Sequence, residues 1–258
     1  MRIVAIIPAR LASSRLPRKP LLSIHGLPMI EHVRRRVIRC RELAEVAVAT
    51  CDAEIADVVL SYGGKVIMTS PDHPGATDRV AEAMSHCDCS HVINVQGDEV
   101  LVLPQDLTEM VRAVAADPAN AAWNAVGRVE SQEELQDPSI VKLVVSGTNR
   151  VLFCTRDLSH LKLNENFDPV RKSIGVMAYS RPFLERYGAL SRTPLEIAQA
   201  IDQSRIIEHD LNLIAVDFAR AYPSINEPRE VGMVEQSLRE DARQASMLKE
   251  ILGAGKPQ

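Results

Sequence analysis

Aromatic residues are scarce: one Trp, four Tyr and four Phe amount to 3% of 258 residues. A core of this size must therefore be filled by Leu, Ile, Val and Ala rather than by large rings. No apolar run approaches the roughly 18 residues of a membrane-spanning helix, so membrane insertion is not expected. The amino terminus also lacks the ordered basic, apolar and small-residue regions of a leader, and a cytoplasmic location is expected. Cysteines are few and odd in number (Cys40, Cys51, Cys87, Cys89 and Cys154). Cys87 and Cys89 stand too close for an ordinary bridge, and no second Cys/His pair completes a zinc pattern, so reduced thiols are expected. An excess of positive charge is missing as well. Thirty Lys and Arg against thirty-four Asp and Glu give −4, which argues against general nucleic-acid binding.

What is present is ordinary for a globular chain: 46% apolar and 25% charged residues, in a length suited to one large α/β domain or a domain with a smaller lobe. The chain is organised around its first twenty residues. Ile3–Val4–Ala5–Ile6–Ile7 is an unbroken, β-branched-rich run, the signature of a strand buried on both faces of a mostly parallel sheet. Pro8 ends it. The loop that follows carries Arg10, Arg15, Arg18 and Lys19, small residues, and no carboxylate. Open α/β sheets bind ligands at the carboxyl ends of their strands, and cations with free backbone N–H groups there suit a polyphosphate. Neither the Walker A glycine spacing nor a dinucleotide fingerprint is present in this loop.

Downstream, the pattern predicts a helix over Pro28–Arg41, a strand at Val46–Thr50, a helix over Ala53–Tyr62 closed by Gly63-Gly64, and a strand at Lys65–Met68. Such alternation marks a doubly wound sheet. A loop over Thr69–Thr77 leads into a helix near Asp78. His91–Val95 is a further buried strand, ending in Gln96-Gly97-Asp98-Glu99. Two carboxylates after a glycine turn can hold a hard divalent cation beside phosphates, although neighbours on an extended chain point opposite ways and one of the two is the direct ligand. From Ala121 the pattern changes to strands at Trp123–Val129, Val141–Val145, Val151–Thr155 and Ile174–Tyr179, with a turn at Gly147-Thr148-Asn149. This reads as a small inserted β lobe, about 121–180, within a single domain over 1–258. A helix over Pro182–Tyr187, one helix carrying Leu195-Glu196 through Gln203 and Arg205, a strand at Leu213–Val216, a terminal helix over Glu230–Leu252 and a frayed tail after Gly253 complete the expectation.

Pro8-Ala9-Arg10 through Ser14-Arg15-Leu16-Pro17-Arg18-Lys19-Pro20-Leu21 resembles the nucleotide-binding signature of sugar nucleotidyltransferases, in the version used by the CMP-sugar synthetase family. The likeness extends over about residues 1–240 and is closest to the branch that activates Kdo (3-deoxy-manno-octulosonate). It implies an α/β fold with a doubly wound, mostly parallel sheet, and transfer of CMP from CTP to a Kdo-like sugar acid. By residue-to-residue match it implies Arg10, Lys19 and Asp98 as catalytic. Ala9, Arg10, Ser14, Arg15, Lys19, Thr77, Arg79 and Gln96 would bind nucleotide, and Mg²⁺ would sit on Asp98 and the position of Asn226. Arg156, Lys172, Ser173, Tyr179, Glu196, Gln203 and Arg205 would bind the sugar acid. The family is generally dimeric, so a homodimer is expected, with the β lobe as its sugar-binding and dimerisation region.

The chain departs from that pattern unevenly. Arg18 replaces a Gly of the loop, and Ala76 replaces the middle Gly of the family's Ser-Gly-Thr stretch, here Gly75-Ala76-Thr77. On the sugar side, Ser173 stands for a His, Asp202 for a Glu, Ser204 for a Leu and Asn226 for the second metal-binding Asp. Loss of that carboxylate weakens a cation site. Two alternatives stay open at this stage: CTP-dependent activation of another ulosonic acid or a phosphonate, and a non-catalytic nucleotide-binding relative.

Overall fold

The computed structural model describes residues 1–12, 16–161 and 169–253. Ser14, Arg15 and the tail beyond Gly253 lie outside the described residues. Strand β1 (Ile3–Ala9) is buried along its length and serves two cores at once. Ile3, Ala5 and Ile7 face one core while Val4 and Ile6 face the other, as the two-residue side-chain period requires. A 3-10 turn at Lys19–Leu21 follows, then short strands β2 (Ser23–Ile24) and β3 (Leu27–Pro28), helix α1 (Met29–Val37) and strand β4 (Glu45–Thr50). Next come α2 (Ala53–Ser61), β5 (Lys65–Met68), α3 (Ala76–Met84), β6 (His91–Val95), α4 (Pro104–Ala116) and β7 (Ala122–Arg128). Then α5 (Gln132–Gln136), β8 (Lys142–Val145), β9 (Val151–Thr155), β10 (Val170–Ser180), α6 (Arg181–Tyr187), α7 (Pro194–Gln199), α8 (Asp202–Glu208) and β11 (Leu213–Asp217). Helices α9 (Pro228–Glu240) and α10 (Ala242–Gly253) close the chain.

Among the described residues nine strands form one sheet, ordered β11-β7-β10-β6-β1-β4-β5. β1 pairs in parallel with both β4 and β6, and β4 with β5, so the doubly wound half expected from the sequence is present. β10 runs antiparallel between β6 and β7. Its first residues extend beyond β6, and there Val170–Lys172 pair with β8 while Arg171 and Lys172 keep their pairing with β7; β8 in turn pairs with β9. Helices α1, α2 and α4 pack on one face through Ile30, Val33, Ile55, Val59, Leu107 and Met110. Helices α3, α6 and α8 cover the other through Val80, Met84, Phe183, Tyr187 and Ile206. No helix among the described residues is long and apolar enough to cross a membrane.

Several details differ from the pattern reading, the first being that β1 does not end at Pro8 but stays paired with β4 as far as Ala9. α4 has no counterpart in that reading, although Pro104 at the start and the buried Leu107, Met110 and Val114 are the signals that identify it. The expected helix through Glu196 and Arg205 is two helices, broken at Ala200, whose φ of 53° is left-handed. The Arg156 guanidinium holds that break by donating to the carbonyls of Gln199 (2.7 Å) and Ala200 (3.1 Å). The terminal helix likewise divides at Asp241, whose carboxylate accepts the N–H groups of Arg243 and Gln244 and so caps α10.

Candidate active site

The parallel pairing of β1 with β6 brings two loops together at their carboxyl ends: the basic loop after Ala9 and the acidic turn after Val95. Their approach is close, because a Cβ on Gly97 would lie 3.0 Å from the Pro8 carbonyl and 3.9 Å from the Ala9 methyl. Lys19 Nζ donates to Asp98 Oδ2 (2.8 Å) and to the Ile225 carbonyl (2.9 Å). The Ile225 N–H returns a bond to the Asp98 carbonyl (3.3 Å). Residues far apart in sequence therefore meet as Lys19, Asp98 and the segment leading into Asn226. Arg10 is exposed beside them and forms no ion pair with any described residue.

Asn226 is held by its backbone, its N–H donating to the Glu230 carboxylate that also takes the Glu227 N–H (2.9 Å) in the capping box of α9. Its Nδ2 donates to Ser224 Oγ (3.0 Å), which leaves Oδ1 as a carbonyl oxygen that takes no hydrogen bond among the described residues. Among the described residues no three His, Cys, Asp or Glu side chains converge as a closed cation cage. One accessible carboxylate and one amide oxygen fit Mg²⁺ instead, since that ion is usually held by one or two carboxylates together with substrate phosphates.

Glu99 plays a different part from Asp98. It is buried, and burial, helped by the neighbouring Asp98, pushes its carboxyl up to about 8. Its Oε1 accepts the Gly175 N–H (2.8 Å), while the Gln96 N–H donates to the Gly175 carbonyl (2.7 Å). A Cβ at Gly175 would lie 2.6 Å from that same Oε1, so only glycine permits this double clasp. It ties the acidic turn to β10 where its register against β7 shifts, between Ser173 and Met177.

At the edge of the basic loop, Arg18 adopts φ 59° and ψ 22°, the left-handed conformation that glycine takes freely. Its guanidinium pairs with Glu54 at the start of α2. Ala76 opens α3 without positive φ, which accounts for its tolerance in place of glycine. Gly75 before it has no such freedom to change, because a Cβ there would lie 3.0 Å from oxygens of both Asp78 and Asp202. Thr77 donates to Asp202 (3.1 Å) and lies 3.3 Å from the Tyr179 hydroxyl. Arg79 is buried and donates to Thr69 Oγ1 and the Ser70 carbonyl, holding the loop before α3 in shape.

On the sugar side, most of the expected cations face inward. Arg205 makes a two-pronged bond to Glu196 (2.8 and 2.5 Å), reaches Asp78 (3.1 Å) and stacks over the Tyr187 ring at 4.3 Å. Burial would raise the Glu196 carboxyl, but Arg205 and Arg192 outweigh it and hold it low. Lys172 pairs with Glu134 (2.5 Å), and Arg156 binds carbonyls of Pro138, Gln199 and Ala200. Tyr179 is wholly buried, which pushes its phenol up. Ser173 and Gln203 do come together, through Asn124: Gln203 Nε2 lies 2.9 Å from Asn124 Oδ1, and Ser173 Oγ lies 3.3 Å from it. Asn124 and Asp78 were not singled out as site residues by sequence reasoning, and Glu99 entered only as the second carboxylate of the acidic turn. A polar amide in the middle of an apolar strand is the one signal that pointed to Asn124.

A family described as Cytidylyltransferase matches residues 4–213. A 3-deoxy-manno-octulosonate cytidylyltransferase of Geobacter sulfurreducens is 35% identical over 251 residues, covering 93% of this chain and all of that protein. An 8-amino-3,8-dideoxy-manno-octulosonate cytidylyltransferase of Shewanella sediminis is 34% identical over 93% of this chain and all of that protein. A solved CMP:2-keto-3-deoxy-manno-octonic acid synthetase in complex with CTP superposes with a TM-score of 0.86 at 34% identity, over 93% of this chain and 100% of that one. The fold and the joined strand ends define a nucleotidyltransferase. The chain belongs to the cytidylyltransferase family.

Proposed function

We propose that this chain transfers CMP from CTP to a Kdo-like sugar acid and releases pyrophosphate. The observation that carries the reading is the meeting of Lys19, Asp98 and the Ile225–Asn226 segment at the adjoining ends of β1 and β6, beside a loop whose Arg10 pairs with no described residue. The anomeric hydroxyl attacks the α-phosphorus and pyrophosphate leaves in line, a reaction that needs positioning and charge neutralisation rather than a covalent nucleophile. Arg10 and Lys19 neutralise the β- and γ-phosphates. Asp98, with the amide oxygen of Asn226, would hold Mg²⁺, which would supply charge neutralisation to the phosphates. Thr77, Arg79 and Gln96 shape the nucleoside side, Arg79 by fixing the loop rather than by touching the base. A cytoplasmic homodimer belongs to the same proposal, by likeness to the family; light scattering of the purified chain tests the dimer.

The test of the reaction is mass spectrometry after incubation with CTP, Mg²⁺ and a mixture of sugar acids. A CMP adduct with matching pyrophosphate release is expected. Tight CTP binding without any adduct would establish a non-catalytic relative instead. A second reading, activation of an altered sugar acid, is favoured by Ser173, a short hydroxyl where the family resemblance places an imidazole. On that reading Kdo is turned over less efficiently than about 10⁴ M⁻¹s⁻¹ while CTP is used normally.

A further inference from the structure

Asn124 lies within β7 and is fully buried. Its Nδ2 donates to the carbonyls of Ala125 (2.7 Å) and Ile174 (3.1 Å). Both amide protons are thereby engaged, and the surrounding carbonyls fix which way round the amide lies. Oδ1 must be the atom that meets Ser173 and Gln203. Gln203 Nε2 donates to it at 2.9 Å, and the Ser173 hydroxyl donates at 3.3 Å. The second Gln203 amide proton has Ser173 Oγ at 3.3 Å. Counting protons leaves the cluster with no free donor. What remains for a ligand is Gln203 Oε1, which takes no hydrogen bond among the described residues, and a lone pair on Ser173. Both are acceptors.

Resting on the transfer reaction proposed above, we infer that Asn124, Ser173 and Gln203 form a neutral subsite that accepts hydrogen bonds from the sugar acid. It therefore binds a hydroxyl or amine of that substrate and not its carboxylate. A carboxylate offers only lone pairs and would face the lone pairs of Gln203 Oε1 and Ser173 directly. The neighbouring cations do not alter this, because Lys172, Arg156 and Arg205 are all engaged within the protein. Asn124 is the specificity-determining residue in this arrangement. It touches the substrate only through the orientation it imposes on Gln203, and it does so beside Gly175, whose clasp with Gln96 and Glu99 fixes the distance to the acidic turn.

The experiment measures KM and kcat for a series of sugar acids with saturating CTP. The series comprises the parent, analogues each lacking one hydroxyl, an analogue with that hydroxyl replaced by an amine, and the carboxamide. The proteins are wild type, Ser173→Ala, Ser173→Thr and Asn124→Leu. In wild type one deoxy analogue should raise KM for the sugar acid at least tenfold, and the amine should restore binding to within tenfold of the parent. In Ser173→Ala and Asn124→Leu that deoxy penalty should shrink below threefold, with KM for CTP unchanged, whereas Ser173→Thr, which keeps the hydroxyl, should retain the wild-type pattern. The carboxamide penalty should be equal in all four proteins. The inference is overturned if the carboxamide penalty, rather than a deoxy penalty, vanishes in Ser173→Ala. It is overturned equally if no deoxy penalty changes in that variant, which is a small substitution at a half-buried position and keeps the test independent of whether Asn124→Leu folds. Failure of wild type to transfer CMP to any sugar acid would instead refute the transfer reaction itself.

Discussion

On the proposed nucleotide side of the site Arg10 is exposed and forms no ion pair with any described residue, and Lys19 reaches across to the very carboxylate proposed to hold the metal. On the sugar side Arg205, Lys172 and Arg156 are turned inward, bonded to Glu196 and Asp78, to Glu134 and to backbone carbonyls. The same residue type thus does two jobs within one site. At the basic loop Arg10 forms no ion pair with any described residue and Lys19 is shared with Asp98, an arrangement that suits the proposed ligand with its several negative charges. On the other side Arg205 and Arg156 hold helices α7 and α8 against α3 and β9 while Lys172 ties β10 to α5, and the proposed subsite is left to neutral amides and a hydroxyl. A cation in a matched motif is therefore not yet a cation in a binding site.

The comparison is most easily broken at Arg205. Its removal takes the guanidinium partner from Asp78 and leaves the buried Glu196 with the half-exposed Arg192 alone, a loss of about 3 kcal/mol of stability. The melting temperature should fall by roughly 10 °C in a thermal scan. A stable Arg205→Ala protein with a raised KM for the sugar acid would show instead that this guanidinium serves the ligand. Asp98→Asn comes next: turnover should drop by about 10²–10³-fold through lost charge neutralisation, with the melting temperature within a few degrees of wild type. Asn226→Asp, which adds back a carboxylate, should lower the Mg²⁺ concentration needed for half-maximal rate.

Arg10→Ala should weaken CTP by about 1.5–3 kcal/mol, the worth of a hydrogen bond to a charged group, and leave stability unchanged. Lys172→Ala is its counterpart and should behave in reverse, lowering stability while leaving KM for CTP alone; matching kinetic losses in the two variants would erase the distinction between the halves. The smallest effect is expected at Arg18. Glycine there relieves a left-handed conformation that costs an ordinary residue about 1–2 kcal/mol, partly offset by loss of the exposed pair with Glu54. Urea denaturation of Arg18→Gly should show stability equal to wild type or slightly above it.

Much of this was legible in the chain. The Ile3–Ile7 and His91–Val95 runs announce buried strands, and the loops that leave them contain Arg10, Lys19 and Asp98. Residue type and spacing are enough there because each loop inherits its position from the strand before it. The sugar side resisted such reading for a physical reason. Whether Arg205 faces a ligand depends on Glu196 and on Asp78, which is 127 positions away, and on the break at Ala200 that turns α8 toward α3. Nothing local to Arg205 records that geometry. Asn124 shows the same limit from the other direction, since its role depends on carbonyls that the sequence does not distinguish from any others.

The clasp at Gly175 has a consequence for how such a chain changes over time or under design. Gln96, Glu99 and Gly175 share two hydrogen bonds and a gap too narrow for a methyl group, so these three positions form one unit of variation. Any altered residue at 175 must be answered at 99. Positions 173 and 203 are part-buried and make no hydrogen bond to the three clasp residues, whereas the fully buried Asn124 holds the Ile174 carbonyl next to the clasp. A search for variants with new sugar preferences is therefore best begun at 173 and 203, with Asn124 and the clasp left as the fixed hinge-pin between chemistry and choice of substrate.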